Sequence, residues 1–333
     1  MAQLLVTGGA GYIGSHTLRA LLRAGHRAVV VDDLRAGVEQ FVQGAPLCRH
    51  DFGDRDAIRR VFERYGPFDA VVHLAASISV AESVARPLAY WRNNVEGSLH
   101  LIEAALEHGA RGFVLSSTAA VYGHPEFQPI SEASPLSPIN PYGASKAAVE
   151  QILADVERAY GMRWTALRYF NASGADPGGG IGECHEPETH LIPAALEAAA
   201  GLRPELVLFG TDYPTRDGTC LRDYVHVSDL ADAHVRAVEA LLEGGPGGAY
   251  NLGSGKGRSN REVLEAVGAL VGRPVPYREG PRRDGDPAEL VADSSRFRRD
   301  FAWGPVRSDL DTILRTAWAW VQERKLGGGD GLK

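Results

Sequence analysis

The chain is poor in cysteine, with three residues among 333: Cys48, Cys184 and Cys220. An odd number without C-x-x-C spacing excludes a disulfide framework and a cysteine-built metal site, and points to a reducing cytoplasm. No metal ion is expected. An excess of positive charge is lacking too, the formal net charge being −7. Nucleic acids and membrane surfaces favour basic patches, so neither is expected as a partner. No apolar run reaches the roughly 18–20 residues that span a bilayer. The opening Met1-Ala2-Gln3 carries no basic stretch of the kind that starts a signal peptide. Internal repeats and low-complexity segments are absent. What is left is an ordinary globular composition, 44% hydrophobic and 23% charged, on a chain long enough for one large α/β domain or two unequal ones.

Short apolar runs alternate with amphipathic stretches through the first half. Leu4-Leu5-Val6 reads as a buried strand. A glycine turn follows, then a helix with Ile13, Leu18, Leu21 and Leu22 on one face, ending near Gly25. Ala28-Val29-Val30-Val31 closes a βαβ unit. Ala70 to Leu74 and Gly112 to Leu115 read as further strands, with a helix over Asn94–His108 between them. Such alternation predicts an α/β fold with a Rossmann-type, doubly wound parallel sheet covered on both faces. Past residue 172 the texture changes. Residues 172–187 read as a loop, and 206–209, 224–242 and 260–271 as shorter runs and helices. Residues 273–287 read as irregular, and the tail 327–331 as disordered. The expected division is a dinucleotide-binding domain over 1–171, rejoined by segments near 225–250, and a smaller C-terminal α/β substrate-binding domain over most of 172–333.

Gly8, Gly11 and Gly14 follow a strand and open a helix. Glycine there permits a tight turn, backbone approach to a pyrophosphate and close helix–strand packing, with the helix N-terminus facing the negative charge. Asp32, at the end of the second strand, can accept hydrogen bonds from both adenosine ribose hydroxyls and would repel a 2′-phosphate. NAD is therefore expected rather than NADP, with nearby Arg35 the one feature pulling the other way. Leu74, Ala75 and Ala76 end the next strand and are small enough, Leu74 aside, for a cofactor to lie along the sheet edge. His73 is expected to be a satisfied buried histidine.

Ser116-Ser117-Thr118 ends a later strand, at the sheet edge where open α/β folds bind ligands. Thr118 can hydrogen-bond a substrate hydroxyl. Tyr142 and Lys146 fall one helical turn apart. A free phenol is a poor base at neutral pH, but an adjacent ammonium and a positive nicotinamide both favour phenolate, so the Tyr142 pKa is expected to be depressed. A phenol so tuned serves as general base and then general acid. The plainer reading is a surface Tyr and Lys on an amphipathic helix. Cradle and Tyr/Lys pair together point to hydride and proton transfer at an alcohol carbon.

These residues resemble the extended short-chain dehydrogenase/reductase superfamily and, more narrowly, the UDP-glucose 4-epimerase (UDP-galactose 4-epimerase) family. The markers run along nearly the whole chain: Val6 to His16, Tyr90-Trp91-Arg92-Asn93-Asn94-Val95, Ser116 to Gly123, Asn140 to Lys146 and Leu167 to Asn171. The narrowest are Asp217 to Val227 and Arg282-Arg283-Asp284-Gly285-Asp286. The resemblance implies an isomerase with tightly bound NAD, in which Tyr142 takes the 4-hydroxyl proton of a UDP-sugar while hydride leaves C4. The 4-keto sugar then turns over and receives the hydride on its other face. Lys146 would tune Tyr142 and hold the nicotinamide ribose, and Thr118 would bridge the 4-hydroxyl and the phenol. By the same resemblance Tyr12, Ile13, Asp33, Asp51, Phe52, Asn93, Ser116 and Tyr169 would join the cofactor site. Asn171, His190, Leu191, Phe209, Arg222, Tyr224, Arg283, Asp286 and Leu290 would line the UDP-sugar site. Arginine suits a diphosphate through bidentate bonds. The alternative for Arg222 and Arg283 is surface pairing with Asp223 and Asp284.

Three positions depart from the family pattern: Ile78 where some members carry Lys, Asp33 where Asn is common, and His190 where Asn is frequent. Leu290 aligns with a position facing the sugar C2 substituent, so its bulk is expected to restrict N-acetylated sugars. Family members usually form homodimers through two helices, here Asn94–His108 and Ala144–Tyr160. Within the superfamily a 4,6-dehydratase would need an acid and a base right after Thr118, where Ala119 and Ala120 stand. A UDP-pentose or UDP-GlcNAc 4-epimerase would share the motifs. A non-catalytic NAD-binding sensor would keep the cradle without needing Tyr142 and Lys146.

Overall fold

The computed structural model describes residues 1–283 and 285–326; Asp284 and the tail expected to be disordered lie outside the described residues. The apolar runs form β1 (Gln3–Thr7), β2 (Arg27–Asp32), β3 (Leu47–Arg49), β4 (Ala70–His73), β5 (Gly112–Thr118) and β6 (Arg163–Tyr169). Shorter strands follow: β7 (Asn171–Ser173), β8 (Leu206–Phe209), β9 (Leu221–His226), β10 (Gly248–Leu252), β11 (Gly257–Ser259), β12 (Tyr277–Gly280) and β13 (Glu289–Leu290). The helices are α1 (Tyr12–Arg23), α2 (Arg55–Tyr65), α3 (Val80–Ala85), α4 (Pro87–Tyr90), α5 (Gly97–Glu107), α6 (Pro141–Tyr160), α7 (Leu191–Ala200), α8 (Val227–Leu242), α9 (Asn260–Val271), α10 (Ser295–Phe301) and α11 (Leu310–Leu326).

Seven strands form one parallel sheet in the order β10-β6-β5-β4-β1-β2-β3. This is the doubly wound Rossmann arrangement. The winding reverses between β1 and β4, and the crevice beyond their C-terminal ends is where such sheets bind ligands. Period-2 alternation explains the two cores. Leu4 and Val6 of β1 face Leu18 and Leu21 of α1 and Leu230 and Val238 of α8. Leu5 faces the opposite way, toward Ile58 and Phe62 of α2, Leu101 of α5 and Leu153 of α6. A late segment of the chain thus returns to this sheet, α8 covering one face and β10 adding the edge strand.

The other strands build a four-stranded sheet (β11-β9-β13, with β7 on β9) and the parallel pair β12-β8. A third core joins Ile192 and Leu196 of α7, Val263 and Val267 of α9, and Ile313 and Leu314 of α11 to Leu206 and Leu208. Helix starts follow the local chemistry: Asn140 accepts from Gly143 N at 2.9 Å and Pro141 opens α6, while Ser259 and Glu262 form a capping box on α9.

Two expectations need correction. The segment 273–287, expected to be irregular, contains β12, whose Tyr277, Arg278 and Glu279 are exposed. A strand solvated on its outer side shows no hydrophobic alternation, and its hydrogen-bonded partner decides it. The helix expected over Asn94–His108 is a π-helical turn over Trp91–Glu96 followed by α5. The wider turn accompanies burial of Asn94, which bonds the Ser77 backbone and the Ser145 hydroxyl. The expected loop over 172–187 begins inside β7 and otherwise contains no regular element. All three cysteines are free. Among the described residues, no helix is long and apolar enough to cross a membrane.

Candidate active site

The turn from β1 into α1 depends on two glycines. Gly8 has φ +73°, and a Cβ there would lie 2.5 Å from Ala75 N; a Cβ on Gly14 would lie 1.9 Å from the Gly8 carbonyl oxygen. Both collisions are with backbone, so only glycine allows this packing. Leu74 N and Ala75 N donate to the Thr7 carbonyl at 3.0 and 3.1 Å, which holds Leu74, Ala75 and Ala76 beside the turn. Gly11 is the N-cap of α1, and among the described residues no side chain caps its first N–H groups. A helix end of this kind suits a pyrophosphate. Tyr12 donates to the Gly174 carbonyl at 2.6 Å, and Ile13 packs against the core.

Asp32 is held at the end of β2 by Ala10 N and Leu34 N, both at 2.9 Å. Burial raises its carboxyl above the ordinary value against those bonds. Arg35 is already matched: it pairs with Asp33 and reaches Asn93 Oδ1 at 3.2 Å and Asp51 at 3.6 Å. A carboxylate at the end of β2 and an arginine engaged elsewhere fit NAD rather than a 2′-phosphate. Phe52 belongs to the core, edge-on to His73 at 5.0 Å, so what it can offer a ligand is its backbone. His73 is satisfied at both ring nitrogens, by Thr7 at 2.6 Å and Ser98 at 2.9 Å, and burial holds it neutral.

At the C-terminal end of β5 the catalytic candidates converge. The Thr118 hydroxyl hydrogen-bonds the Tyr142 phenol and accepts from Ala120 N at 3.1 Å. Lys146 Nζ donates to the Ser116 carbonyl at 2.8 Å. The Ser116 hydroxyl bonds Tyr169, which also meets His234 at 3.4 Å. The electrostatics correct the expected phenol. Burial raises the Tyr142 pKa and only the Thr118 bond opposes it. The charge on Lys146 is engaged with a carbonyl instead, and burial brings that ammonium down to about 8 against the pull of Glu150. At neutral pH the resting pair is a protonated phenol beside an ammonium, not a phenolate and an ammonium.

Behind this group lies a buried network that the motifs did not flag. Glu150 accepts from Arg168 Nε at 3.0 Å and Nη2 at 2.5 Å, and from the Ser117 hydroxyl. Arg168 donates to Tyr122 at 2.8 Å, and Tyr122 to Asn251 at 2.7 Å. The available signal was spacing: Glu150 stands one turn beyond Lys146, on the face of α6 that carries Tyr142. The network ties α6, β5, β6 and β10 together directly under the reacting groups.

The second half of the site is joined to the first through short strands. Asn171 of β7 pairs with Tyr224 of β9, and Leu290 of β13 pairs with Arg222. Leu290 also packs against Val121, Tyr122 and Ile130, just past Thr118. Arg222 donates to Asp286 at 2.7 Å, not to Asp223, which Ser254, Gly255 and Ala292 occupy. The alternative of neighbour pairing therefore fails for Arg222, and Asp284 lies outside the described residues. The Arg283 guanidinium stacks 4.1 Å over Phe209. Tyr224 is core, packed with Leu208 and Val263. Leu191 opens α7. His190, just before it, is held by Glu183 at 2.7 Å and Glu188 at 3.0 Å. Partial desolvation works against the charged ring, but the two carboxylates prevail and push it up to about 10.

Known proteins resemble this chain along nearly its whole length. Residues 4–253 match the model of the NAD dependent epimerase/dehydratase family. The UDP-glucose 4-epimerase of Rhizobium meliloti (strain 1021) is 50% identical over 325 residues, covering 98% of this chain and 98% of its own. The NAD complex of the Brucella ovis UDP-glucose 4-epimerase superposes with a TM-score of 0.92 at 48% identity, over 96% of this chain and 98% of that one. The Bifidobacterium longum UDP-glucose 4-epimerase, in complex with NAD+ and UDP, gives 0.91 at 36% identity over 98% and 99%.

Proposed function

The chain belongs to the NAD dependent epimerase/dehydratase family, and from that premise we propose that it binds NAD and interconverts UDP-glucose and UDP-galactose by inversion at sugar C4. The observation that carries the reading is the Thr118–Tyr142–Lys146 group at the ligand edge of the sheet, followed by Ala119 and Ala120. A dehydratase starts with the same oxidation but must then eliminate water, and residues 119 and 120 supply neither the acid nor the base.

In this account residues 1–171, rejoined by 225–250, hold the cofactor, and most of 172–333 holds the UDP-sugar. The β1–α1 turn receives the pyrophosphate, Asp32 the adenosine ribose, and Asp33, Asp51, the Phe52 backbone, Asn93 and the Leu74–Ala76 segment surround the cofactor. NAD+ held there would supply the hydride acceptor, so that C4 could be oxidised to a 4-keto sugar and reduced again on its opposite face. Tyr142 accepts the 4-hydroxyl proton, relayed by Thr118, and gives it back after the sugar has turned. Lys146, held at the Ser116 carbonyl, becomes the counter-charge to the phenolate as it forms. Its pKa near 8 keeps most of it charged at pH 7. Arg222 and Arg283 neutralise the diphosphate, Asn171, His190 and Leu191 flank it, and Phe209 lies beneath Arg283. Asp286 orients Arg222, and Leu290 faces the C2 substituent.

We further place the protein in the cytoplasm, where its three unpaired cysteines stay reduced. It pairs as a homodimer through α5 and α6, near which Val84, Leu88, Trp91 and Leu99 are exposed. Sedimentation as a monomer at micromolar concentration would refute the dimer. The test of the chemistry is Tyr142→Phe. Turnover should fall by roughly 10²–10⁴-fold with NAD still bound, and full activity in that variant would leave a non-catalytic NAD-binding protein as the better description.

A further inference from the structure

Outside the catalytic group, four side chains converge just before α7. Nδ1 of His185 and Nδ1 of His190 lie 2.9 and 2.7 Å from the same oxygen, Glu183 Oε1, and His190 Nδ1 lies 3.0 Å from Glu188 Oε1. One ligand atom from each of the four residues stands within 4.8 Å of all the others. The two carboxylates are nearly buried, with side chains 8% and 5% exposed. Among the described residues neither meets a lysine or arginine side chain as an ion pair, so two buried negative charges depend on two imidazoles.

The glutamates are also held from behind. Trp320 Nε1 donates to the Glu183 carbonyl and Arg203 to the Glu188 carbonyl, both at 2.8 Å. Thr189 N and His190 N each donate to Glu188 Oε1 at 2.7 Å. Outer-shell bonds of this kind fix ligand orientation in metal sites. We propose that Glu183, His185, Glu188 and His190 bind one divalent transition-metal ion of the zinc type. Two imidazole nitrogens and two carboxylate oxygens form the mixed set that suits zinc, whereas magnesium and calcium prefer oxygen alone. Ligands about 2.0–2.2 Å from a tetrahedral ion stand roughly 3.3–3.6 Å from one another. The three close contacts, at 2.7–3.0 Å, open by a few tenths of an ångström or more as the ion replaces the shared protons, while the other pairs, within 4.8 Å, draw in around it. His190 is 49% exposed and leaves a path of entry.

The ion is a brace rather than a reagent. It fixes residues 183–190 against the start of α7, and the His185 ring, edge-on to Tyr12 at 6.5 Å, carries that restraint to the nucleotide turn. The cluster is hard to see in the sequence because it holds no cysteine spacing and E-x-H-x-x-E-x-H in a loop follows no regular period.

The experiment strips the NAD-containing protein with chelator, reloads it with Zn2+ and counts retained metal after gel filtration. One equivalent per chain is expected, with an X-ray absorption edge showing nitrogen and oxygen ligands only. His185→Gln and Glu183→Gln should weaken retention by about tenfold or more, and Cys184→Ser should leave it unchanged. Magnesium should not be retained. Failure of the unsubstituted protein to hold an equivalent overturns the proposal without reference to any variant. So does equal retention by His185→Gln, or sulfur at about 2.3 Å from the metal.

Discussion

Gly11 and Gly14 sit three residues apart in one turn, yet adding a methyl group to each should do different things. A Cβ on Gly14 would meet the Gly8 carbonyl oxygen at 1.9 Å, against about 3.4 Å for ordinary contact. Backbone would have to move by about 1.5 Å inside a packed helix–strand junction, which costs roughly 3 kcal/mol or more. Gly14→Ala should therefore lower the melting temperature even after the cofactor is stripped. At Gly11 the nearest atom is 3.3 Å away and the backbone is extended, with φ −76°. Gly11→Ala should leave the stripped protein within about 0.5 kcal/mol of the parent. Its methyl group instead stands at the N-cap of α1, where the pyrophosphate is proposed to lie. Losing close backbone approach there should weaken NAD at least about tenfold, or about 1.4 kcal/mol. The assay is NAD released per chain on denaturation, read beside thermal melts of stripped protein. Full cofactor content in Gly11→Ala would refute the placement of the pyrophosphate. A parent-like melt of stripped Gly14→Ala would refute the packing.

Glu150→Gln leaves Arg168 buried without its carboxylate and should destabilise the fold by about 3–5 kcal/mol, measured by denaturant melts. In whatever folds, the alkaline limb of activity should move to lower pH. Glu150 holds the Lys146 pKa up at about 8, so its loss lets that ammonium discharge earlier; a limb that stays in place would disconnect Lys146 from the rate. Leu290→Ala should raise the ratio of UDP-GlcNAc to UDP-galactose turnover, and an unchanged ratio would remove Leu290 from the sugar pocket. Side-by-side assay of UDP-arabinose would show whether a pentose is the better substrate.

Much of the first half was legible because its strands are buried on both faces and announce themselves as unbroken apolar runs. The glycine spacing could be read because backbone conformation and close packing dictate the residue at Gly8 and Gly14. The rest is decided by partners distant in sequence. β12 exists because β8 lies beside it, and Arg222 chose Asp286 over adjacent Asp223 because Asp223 caps the Ser254 turn. Glu150 belongs to no motif, and its part is set by β6, which brings Arg168 under it. The phenol was misjudged because sequence gives the identity of a neighbour but not what it is already bonded to. Lys146 had a carbonyl to satisfy.

In the proposed reaction hydride leaves C4 and returns to the same carbon with no net oxidation. UDP-galactose carrying deuterium at C4, incubated with the purified protein and no added nucleotide, tests it most directly. The expected product is UDP-glucose that retains deuterium at C4, with no label in solvent and no NADH in solution. Washout of the label, or NADH accumulating in step with product, would contradict it.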